Sequence, residues 1–373
     1  MKQKGTKVVV ALSGGVDSLT AAVLLKRAGF EVIGAFMKLW SYDSRAEYGI
    51  NQNRRCLSEA ETRARKVAKI LKIPFYVFDL REEFKKEIVD VFLKEIKKGL
   101  TPNPCVVCNQ KIKFGLLLKK AKALGASYLA TGHYTRKNEL TNNLQLTTYK
   151  LLRAKDKKKD QSYFLWRLNQ NQLKHILFPL GNYTKKEVRA LAKKFNLPTK
   201  KTPESQEICF VKEDLKSFLK HYFQPKKGKI VDSQGKILGE HQGLIFYTVG
   251  QRKGINLPGG PFYVLDKNRK KNLLIVSRNE KDLYKKELKV RNVNWISGHA
   301  PKLPFKIRIK TRSQQMLSGA VIAKKLPRGR YKIVFRKKEK AITPGQSAVF
   351  YSSARALAKA GKREELLGGG EIC

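Results

Sequence analysis

Five consecutive apolar residues, Val8-Val9-Val10-Ala11-Leu12, run straight into Ser13-Gly14-Gly15-Val16-Asp17-Ser18 and then into a helical pattern from Leu19 to Ala28. A short unbroken apolar run reads as a strand buried on both faces. When such a strand passes through a glycine turn into a helix, it opens a parallel sheet. Glu31–Met37, Phe75–Phe78 and Tyr128–Thr131 read as three further strands, with helical stretches over Glu59–Leu71, Phe84–Lys97 and Ile112–Leu124 between them. The alternation predicts an α/β half whose sheet is covered by helices on both faces.

The texture changes after about Gln206. Lys229–Val231, Leu244–Tyr247, Phe262–Leu265, Leu273–Val276 and a further set between Phe305 and Phe350 are short β-rich runs separated by turn residues. They predict small β-domains. Boundaries near 213 and 284 divide the chain into 1–213, 214–284 and 285–373. A 42% hydrophobic and 29% charged composition supports ordinary cores and excludes collagen-like, disordered and disulfide-scaffold classes. No apolar run reaches the ~18 residues of a membrane span, and the stretch behind the basic Met1–Lys4 is too short for a signal peptide, so the expectation is a soluble cytoplasmic chain. Lys plus Arg (79) exceeds Asp plus Glu (30) by 49 charges. Self-repulsion on that scale is relieved by a polyanion such as RNA. A host with lysine-rich proteins gives the same excess, and the spread of Lys155–Lys159, Lys193-Lys194, Lys285-Lys286 and Arg336–Lys340 assigns part of it there.

The turn itself suits an anion. Gly14 and Gly15 let backbone amides approach a ligand at a helix N-terminus, and Ser13 and Ser18 add hydroxyls. It is neither the Walker A pattern nor G-x-G-x-x-G. Asp17 suits a phosphate site when magnesium bridges the two; a plain tight turn is the bland alternative. Five cysteines, Cys56, Cys105, Cys108, Cys209 and Cys373, are an odd number and point to thiol chemistry rather than structural bridges. Cys105 and Cys108 have C-x-x-C spacing just before the helix predicted at Ile112. That position, with Lys111 and Lys113 nearby, predicts a lowered thiol pKa. Cys209 follows in Glu204–Phe210, while Cys56 and Cys373 have no such context. Zinc ordinarily takes four ligands, and a redox pair lacks a thioredoxin-like setting. His133 reads either as a group beside a ligand or as a strand-end residue bonded to a backbone carbonyl. Tyr163–Trp166 reads as core, and Arg252-Lys253 as a solvated or phosphate-touching turn.

The run Ser13–Ser18 resembles the pyrophosphatase-loop ATPases, which cleave ATP to AMP and pyrophosphate to activate a carbonyl-type oxygen. Three thiols beside such a loop fit sulfur transfer through a persulfide. The resemblance then narrows to the tRNA 2-thiouridylase family. Ala11–Ser18, Phe36–Lys38, Thr101–Asn109, Ala130–Tyr134, Lys159–Leu165, Ser205–Phe210, Tyr247–Gly254, Thr343–Phe350 and Leu367–Gly370 match it in order. This resemblance implies an N-terminal adenine nucleotide alpha hydrolase-like parallel-sheet domain, a small middle tRNA-binding domain and a C-terminal β-barrel. It implies 2-thiolation of the wobble uridine of tRNAs for Glu, Gln and Lys, with ATP and magnesium and a persulfide sulfur-donor protein. ATP would contact Ala11, Leu12, Ser13, Gly14, Gly15, Val16, Asp17, Ser18, Met37 and Gly132, with His133 near the nucleotide. Cys108 would be the nucleophile and Cys209 the persulfide carrier, joined in a transient disulfide. Asn103, Pro104 and Cys105 would meet the base, and Lys159, Asp160, Gln161, Arg312 and Gln346 the tRNA. Many members of the family carry Asp at the position of Cys105, which leaves a proton-transfer role without its carboxylate. It also opens an alternative in which Cys105, Cys108 and Cys209 ligate a [4Fe–4S] cluster. Arg312-Ser313 stands where the family commonly has Arg-Tyr, which removes one tRNA contact that the resemblance would imply. An amide-forming ligase on a small carboxylate and a non-catalytic RNA-binding module are the competing functions.

Overall fold

The structure is a computed structural model that describes residues 5–41, 52–141, 145–198, 208–211, 214–353 and 364–373, apart from the side chains of 52–58. The predicted parallel sheet is present. Lys7–Ala11 pairs in parallel with Glu31–Lys38 on one side and Tyr128–Ala130 on the other. Phe75–Asp79 and Ile176–Leu177 complete five strands, the last unforeseen in the sequence. Alternate residues of Lys7–Ala11 feed two different cores: Val9 packs with Leu117, Ala121 and Leu129, and Val8 and Val10 pack with Leu19, Val23 and Val67. Burying each such side chain stabilises by about 1.5–3 kcal/mol, and that double burial is why the run shows no polar alternation.

Residues 228–277 form a second, four-stranded sheet in the order Tyr263–Asn268, Leu273–Ser277, Gly228–Val231, Ile237–His241. The expected strand over Leu244–Tyr247 is instead a short 3-10 turn at Leu244–Phe246, entered through Gly243 at φ 143°. The boundary near 213 falls at 212–213, outside the described residues. In the C-terminal region, Tyr284–Trp295, Arg330–Lys340, Ser318–Leu326, Phe305–Lys310, Ser347–Tyr351 and Glu365–Ile372 pair in succession, and the first pairs with the last. The result is a closed six-stranded barrel around Val290, Ile309, Ile322, Ile333 and Phe350.

A hairpin that the sequence reading missed, Thr135–Thr141 with Thr147–Arg153, leaves the N-terminal region and extends the barrel's sheet, with Leu151 and Leu152 opposite Leu366 and Glu365. Behind it, the fully buried Trp166 meets the closing strand at Gly369, where a Cβ would lie 2.8 Å from the indole Cγ and 2.9 Å from the Ala348 carbonyl oxygen. Tyr163 and Leu165 are buried beside it, as the core reading of that cluster expected. Among the described residues no helix is long and apolar enough to cross a membrane. Gly369→Ala is expected to overpack this junction and lower the unfolding free energy by about 1–3 kcal/mol. The check is a lower denaturant midpoint at unchanged m-value.

Candidate nucleotide and thiol site

Chain order and spatial order part at one place in the parallel sheet. Glu31–Lys38 and Phe75–Asp79 lie on one side of Lys7–Ala11, and Tyr128–Ala130 and Ile176–Leu177 on the other. Loops leaving the strands at such a switch point diverge and leave a crevice beyond the strands' C-terminal ends. Ser13–Ser18 leaves one of the two central strands there, and Gly132-His133 leaves the other. They touch closely: a Cβ at Gly132 would stand 2.8 Å from the Ser18 nitrogen and 2.9 Å from the Asp17 carbonyl carbon. A cavity of about 2890 Å³ opens at this point, and Ala11, Leu12, Ser13, Gly15, Val16, Asp17, Ser18, Met37, Gly132 and His133 all line it. Gly14 does not. It turns at φ +75° against the helix Gln52–Ile70, where a Cβ would be 2.4 Å from the Ala60 oxygen. Its role is therefore close packing of the loop on that helix. Arg63 of the same helix, which the sequence reading missed, donates from Nε to the Gly14 oxygen at 3.2 Å.

Within the loop, Ser18 Oγ accepts from the Ser13 amide at 3.1 Å and donates to the Gly15 oxygen at 3.0 Å. That hydroxyl closes the loop on itself. Asp17 is not a bare carboxylate. Lys185 Nζ donates to Oδ1 at 2.8 Å and Oδ2 at 2.7 Å, and the Tyr134 hydroxyl donates to Oδ1 at 2.7 Å. Lys185 is held there by the start of its helix, Lys185–Lys194, where Thr184 and Glu187 form a reciprocal capping box. The Lys185 amide donates to Asp156 Oδ2 at 3.0 Å. His133 bonds not to a backbone carbonyl but to the Thr131 hydroxyl, 2.8 Å from Nδ1, between the rings of Phe114 and Phe178. Burial, reinforced by the Lys113 charge, holds the imidazole well below its ordinary range and therefore neutral.

The thiols occupy another wall of the same cavity, which Cys105, Cys108 and Cys209 all line. The helix bearing the first two starts earlier than expected. Pro104 sits at its first position, so both cysteines lie inside the helical turn Pro104–Cys108, and helix continues through a wider π-type stretch, Asn109–Leu117. Cys108 is buried in an apolar cluster with Phe84, Phe92, Ile112 and Phe210. Phe210 anchors the segment of Cys209, with its ring edge-on to Phe84 at 5.9 Å and Phe92 at 5.5 Å. Residues 199–207, including Glu204 to Glu207, lie outside the described residues. The expected lowering of the thiol pKa is reversed. Burial pushes Cys108 up to about 11 against the pull of Lys113. Cys209 exposes surface to the cavity, but surrounding protein, Cys108 and Cys105 push it up to about 12. Cys105 is also raised by burial. Lys113 acts on all three thiols, whereas Lys111 pairs with Glu87 at the surface. Among the described residues no three His, Cys, Asp or Glu side chains are grouped to hold a metal ion, which lends the [4Fe–4S] alternative no support. Cys105, Cys108, Cys209 and Cys373 are unpaired; Cys373 is exposed at the chain end, and the side chain of Cys56 lies outside the described residues.

Of the residues expected to meet RNA or base, Asn103, Pro104, Lys159, Gln161 and Gln346 line the cavity. Two others are turned inward. The Asp160 carboxylate is buried on Arg153 at 2.7 Å and the Ser162 hydroxyl at 3.1 Å, so it shapes its loop. Arg312 Nη2 donates to the Ala341 oxygen at 2.9 Å and the Val249 oxygen at 3.3 Å, tying the barrel to the middle sheet. Gln346 also has an internal bond, from Nε2 to the Thr101 oxygen at 2.8 Å, next to the Thr101 amide that donates to the Pro344 oxygen at 2.9 Å. A barrel loop thus grips the segment leading into the cysteine helix. The raised thiol pKa values carry a direct consequence: both thiols are protonated at neutral pH and ionise only as pH rises toward 11 and 12. Cys108 in the free protein is expected to react with iodoacetamide roughly 100-fold more slowly than a free thiol at about pH 8, and Lys113→Met to slow it further. Mass-spectrometric alkylation rates against pH check this; a Cys108 midpoint at the ordinary thiol value would contradict it.

Comparison with known proteins accords with this geometry. Residues 6–213 match the family model described as "tRNA methyl transferase HUP domain", 216–278 "tRNA methyl transferase PRC-barrel domain" and 285–372 "Aminomethyltransferase beta-barrel domain". The chain is 46% identical over 351 residues to tRNA-specific 2-thiouridylase MnmA 2 of Thermoanaerobacter sp. (strain X514), covering 92% of this chain and 94% of the relative. It is 47% identical over 351 residues, with the same coverage, to MnmA 1 of Caldanaerobacter subterraneus subsp. tengcongensis. With MnmA of Carboxydothermus hydrogenoformans it shares 42% identity over 371 residues, 98% of this chain and 97% of the relative. A nucleotide-type loop at the sheet's switch point, three thiols across one cavity and similarity along nearly the whole length lead to one assignment: the chain belongs to the tRNA-specific 2-thiouridylase family.

Proposed function

We propose that this protein is a tRNA-uridine 2-sulfurtransferase that replaces O2 of the wobble uridine with sulfur at the expense of ATP. The observation that carries the reading is the single cavity joining Ser13–Ser18 to Cys105, Cys108 and Cys209. ATP is the nucleotide, held by the loop amides and the N-terminus of the helix Val16–Arg27. Magnesium enters with it on phosphate oxygens. The splayed wobble base meets Asn103, Pro104 and Cys105, with Lys159, Gln161 and Gln346 toward the anticodon loop. The acceptors are tRNAs for Glu, Gln and Lys, and a separate donor protein loads the sulfur.

The chemistry balances in three steps. The C2 oxygen of uridine attacks the α-phosphorus of ATP and pyrophosphate leaves, which converts a poor leaving oxygen into AMP. The terminal sulfur of a Cys209 persulfide attacks C2 and AMP departs with both electrons of the C2–O bond. Cys108 thiolate then attacks Sγ of Cys209; the S–S bond to the base breaks, leaving 2-thiouridine and a Cys108–Cys209 disulfide. A two-electron thiol reductant restores both thiols. Buried, neutral thiols suit this order of events, because Cys108 stays unreactive until its proton is removed in the assembled complex. His133, neutral and bonded to Thr131, is a shape-setting neighbour of Gly132 rather than an acid.

Incubation of the purified protein with unmodified tRNA, ATP-magnesium and a persulfide donor is expected to yield 2-thiouridine, read by mass spectrometry of the wobble nucleoside. Cys108→Ser and Cys209→Ser are each expected to lower thiolation on the order of 10³-fold or more while tRNA-dependent pyrophosphate release persists. Full activity of Cys209→Ser would instead favour amide-ligase chemistry.

A further inference from the structure

Lys185 is a side chain to which nothing above gives a ligand. It lies 11% exposed on the cavity wall, with Nζ on both oxygens of Asp17. Asp17 is the carboxylate of the anion loop, in the first turn of the helix Val16–Arg27. A bare carboxylate there would repel a polyphosphate arriving at the same helix end, and a buried ammonium across from it cancels that repulsion. Besides its two bonds to the Asp17 oxygens, the ammonium lies over the Tyr134 ring, 5.8 Å from its centroid. Its position is rigid, because the capping box of Thr184 and Glu187 and the bond from its own amide to Asp156 fix where the helix begins. The same helix carries Arg189 and Lys193, at four and eight residues on, along the same cavity wall. A fixed, buried, cavity-lining cation at the phosphate end of a loop that otherwise offers amides and hydroxyls is a charge-assisted donor for phosphate oxygen.

We propose that Lys185 is a polyphosphate-binding residue, held in place by Asp17 in the free protein and donating to the phosphate chain of ATP once the nucleotide enters. The inference rests on the nucleotide reading of the loop given above. It assigns a specificity role, because AMP, which lacks the β- and γ-phosphates, would not engage this ammonium to the same degree.

The test is nucleotide titration calorimetry on the full-length protein without tRNA, with magnesium present, comparing ATP with AMP. Lys185→Met is expected to weaken ATP roughly 10-fold or more and AMP by less than about 3-fold, and Lys185→Arg to recover part of the loss. The double variant Asp17→Asn, Lys185→Met removes both charges, so the loop keeps neutral packing and folding is not at risk from an unpaired carboxylate. If Lys185 binds phosphate, the double variant remains weak for ATP. Wild-type ATP affinity in the double variant would overturn the proposal and reduce Lys185 to a neutraliser of Asp17. Equal loss of ATP and AMP in Lys185→Met would overturn it too. Failure of the wild-type protein to bind ATP at all would overturn the nucleotide reading itself, an outcome distinct from both.

Discussion

Parallel pairing of a strand that is apolar on both faces is the constraint on which the site depends. Lys7–Ala11 cannot end at solvent along its length, because Val8, Val9 and Val10 are wholly enclosed. Polar chemistry is therefore confined to the strand ends. The chain builds outward to one side first and then to the other, so the loops after Lys7–Ala11 and Tyr128–Ala130 are the two that face across an open crevice. Gly132 permits them to approach, and Gly14 seats one of them on the helix behind. The loop groups proposed to hold nucleotide descend from that arrangement, and Lys185 reaches them from a separate helix.

The thiols depend on a different kind of contact. The cysteine helix, the Phe210 anchor and the barrel loop at Pro344–Gln346 come from three distant stretches of sequence. The barrel thus reaches the thiol region itself: its backbone bonds directly to Thr101, four residues before Cys105. A second weld lies further along, where Glu364 accepts from Arg153 at 2.6 Å, Lys157 at 3.1 Å and Arg308 at 2.5 Å. Arg153 and Glu364 are its buried pair, so removing either one would leave an uncompensated buried charge.

The parallel sheet, the anion loop and the cysteine spacing were legible because each is written locally, in apolar runs, glycines and fixed intervals. The family-level expectation of a closed C-terminal barrel also holds. What was illegible depended on tertiary contact. Lys185 could not be singled out among 79 basic residues, since its burial against Asp17 joins positions 168 apart. The thiol pKa went the wrong way because spacing reveals nearby lysines but not the Phe84–Phe92–Phe210 surroundings that outweigh them. Asp160 and Arg312 look like solvent-facing polar residues in sequence, yet their partners Arg153, Val249 and Ala341 turn them inward. The hairpin at 135–153 was missed because Thr135–Thr141 carries little apolar alternation and draws its order from pairing.

That hairpin also limits how such an architecture can be modified in evolution. Its outer strand ends the row, and its inner strand is satisfied by Glu365 and Leu366 of the final barrel strand. Exchanging the last ninety or so residues for an unrelated RNA-binding module would leave the inner strand's backbone donors and acceptors exposed, a template for self-association. The two ends of the polypeptide are thereby bound to a common inheritance, and Ile296, Val349, Tyr351 and Leu366 of the C-terminal region already share a hydrophobic core with the N-terminal sheet.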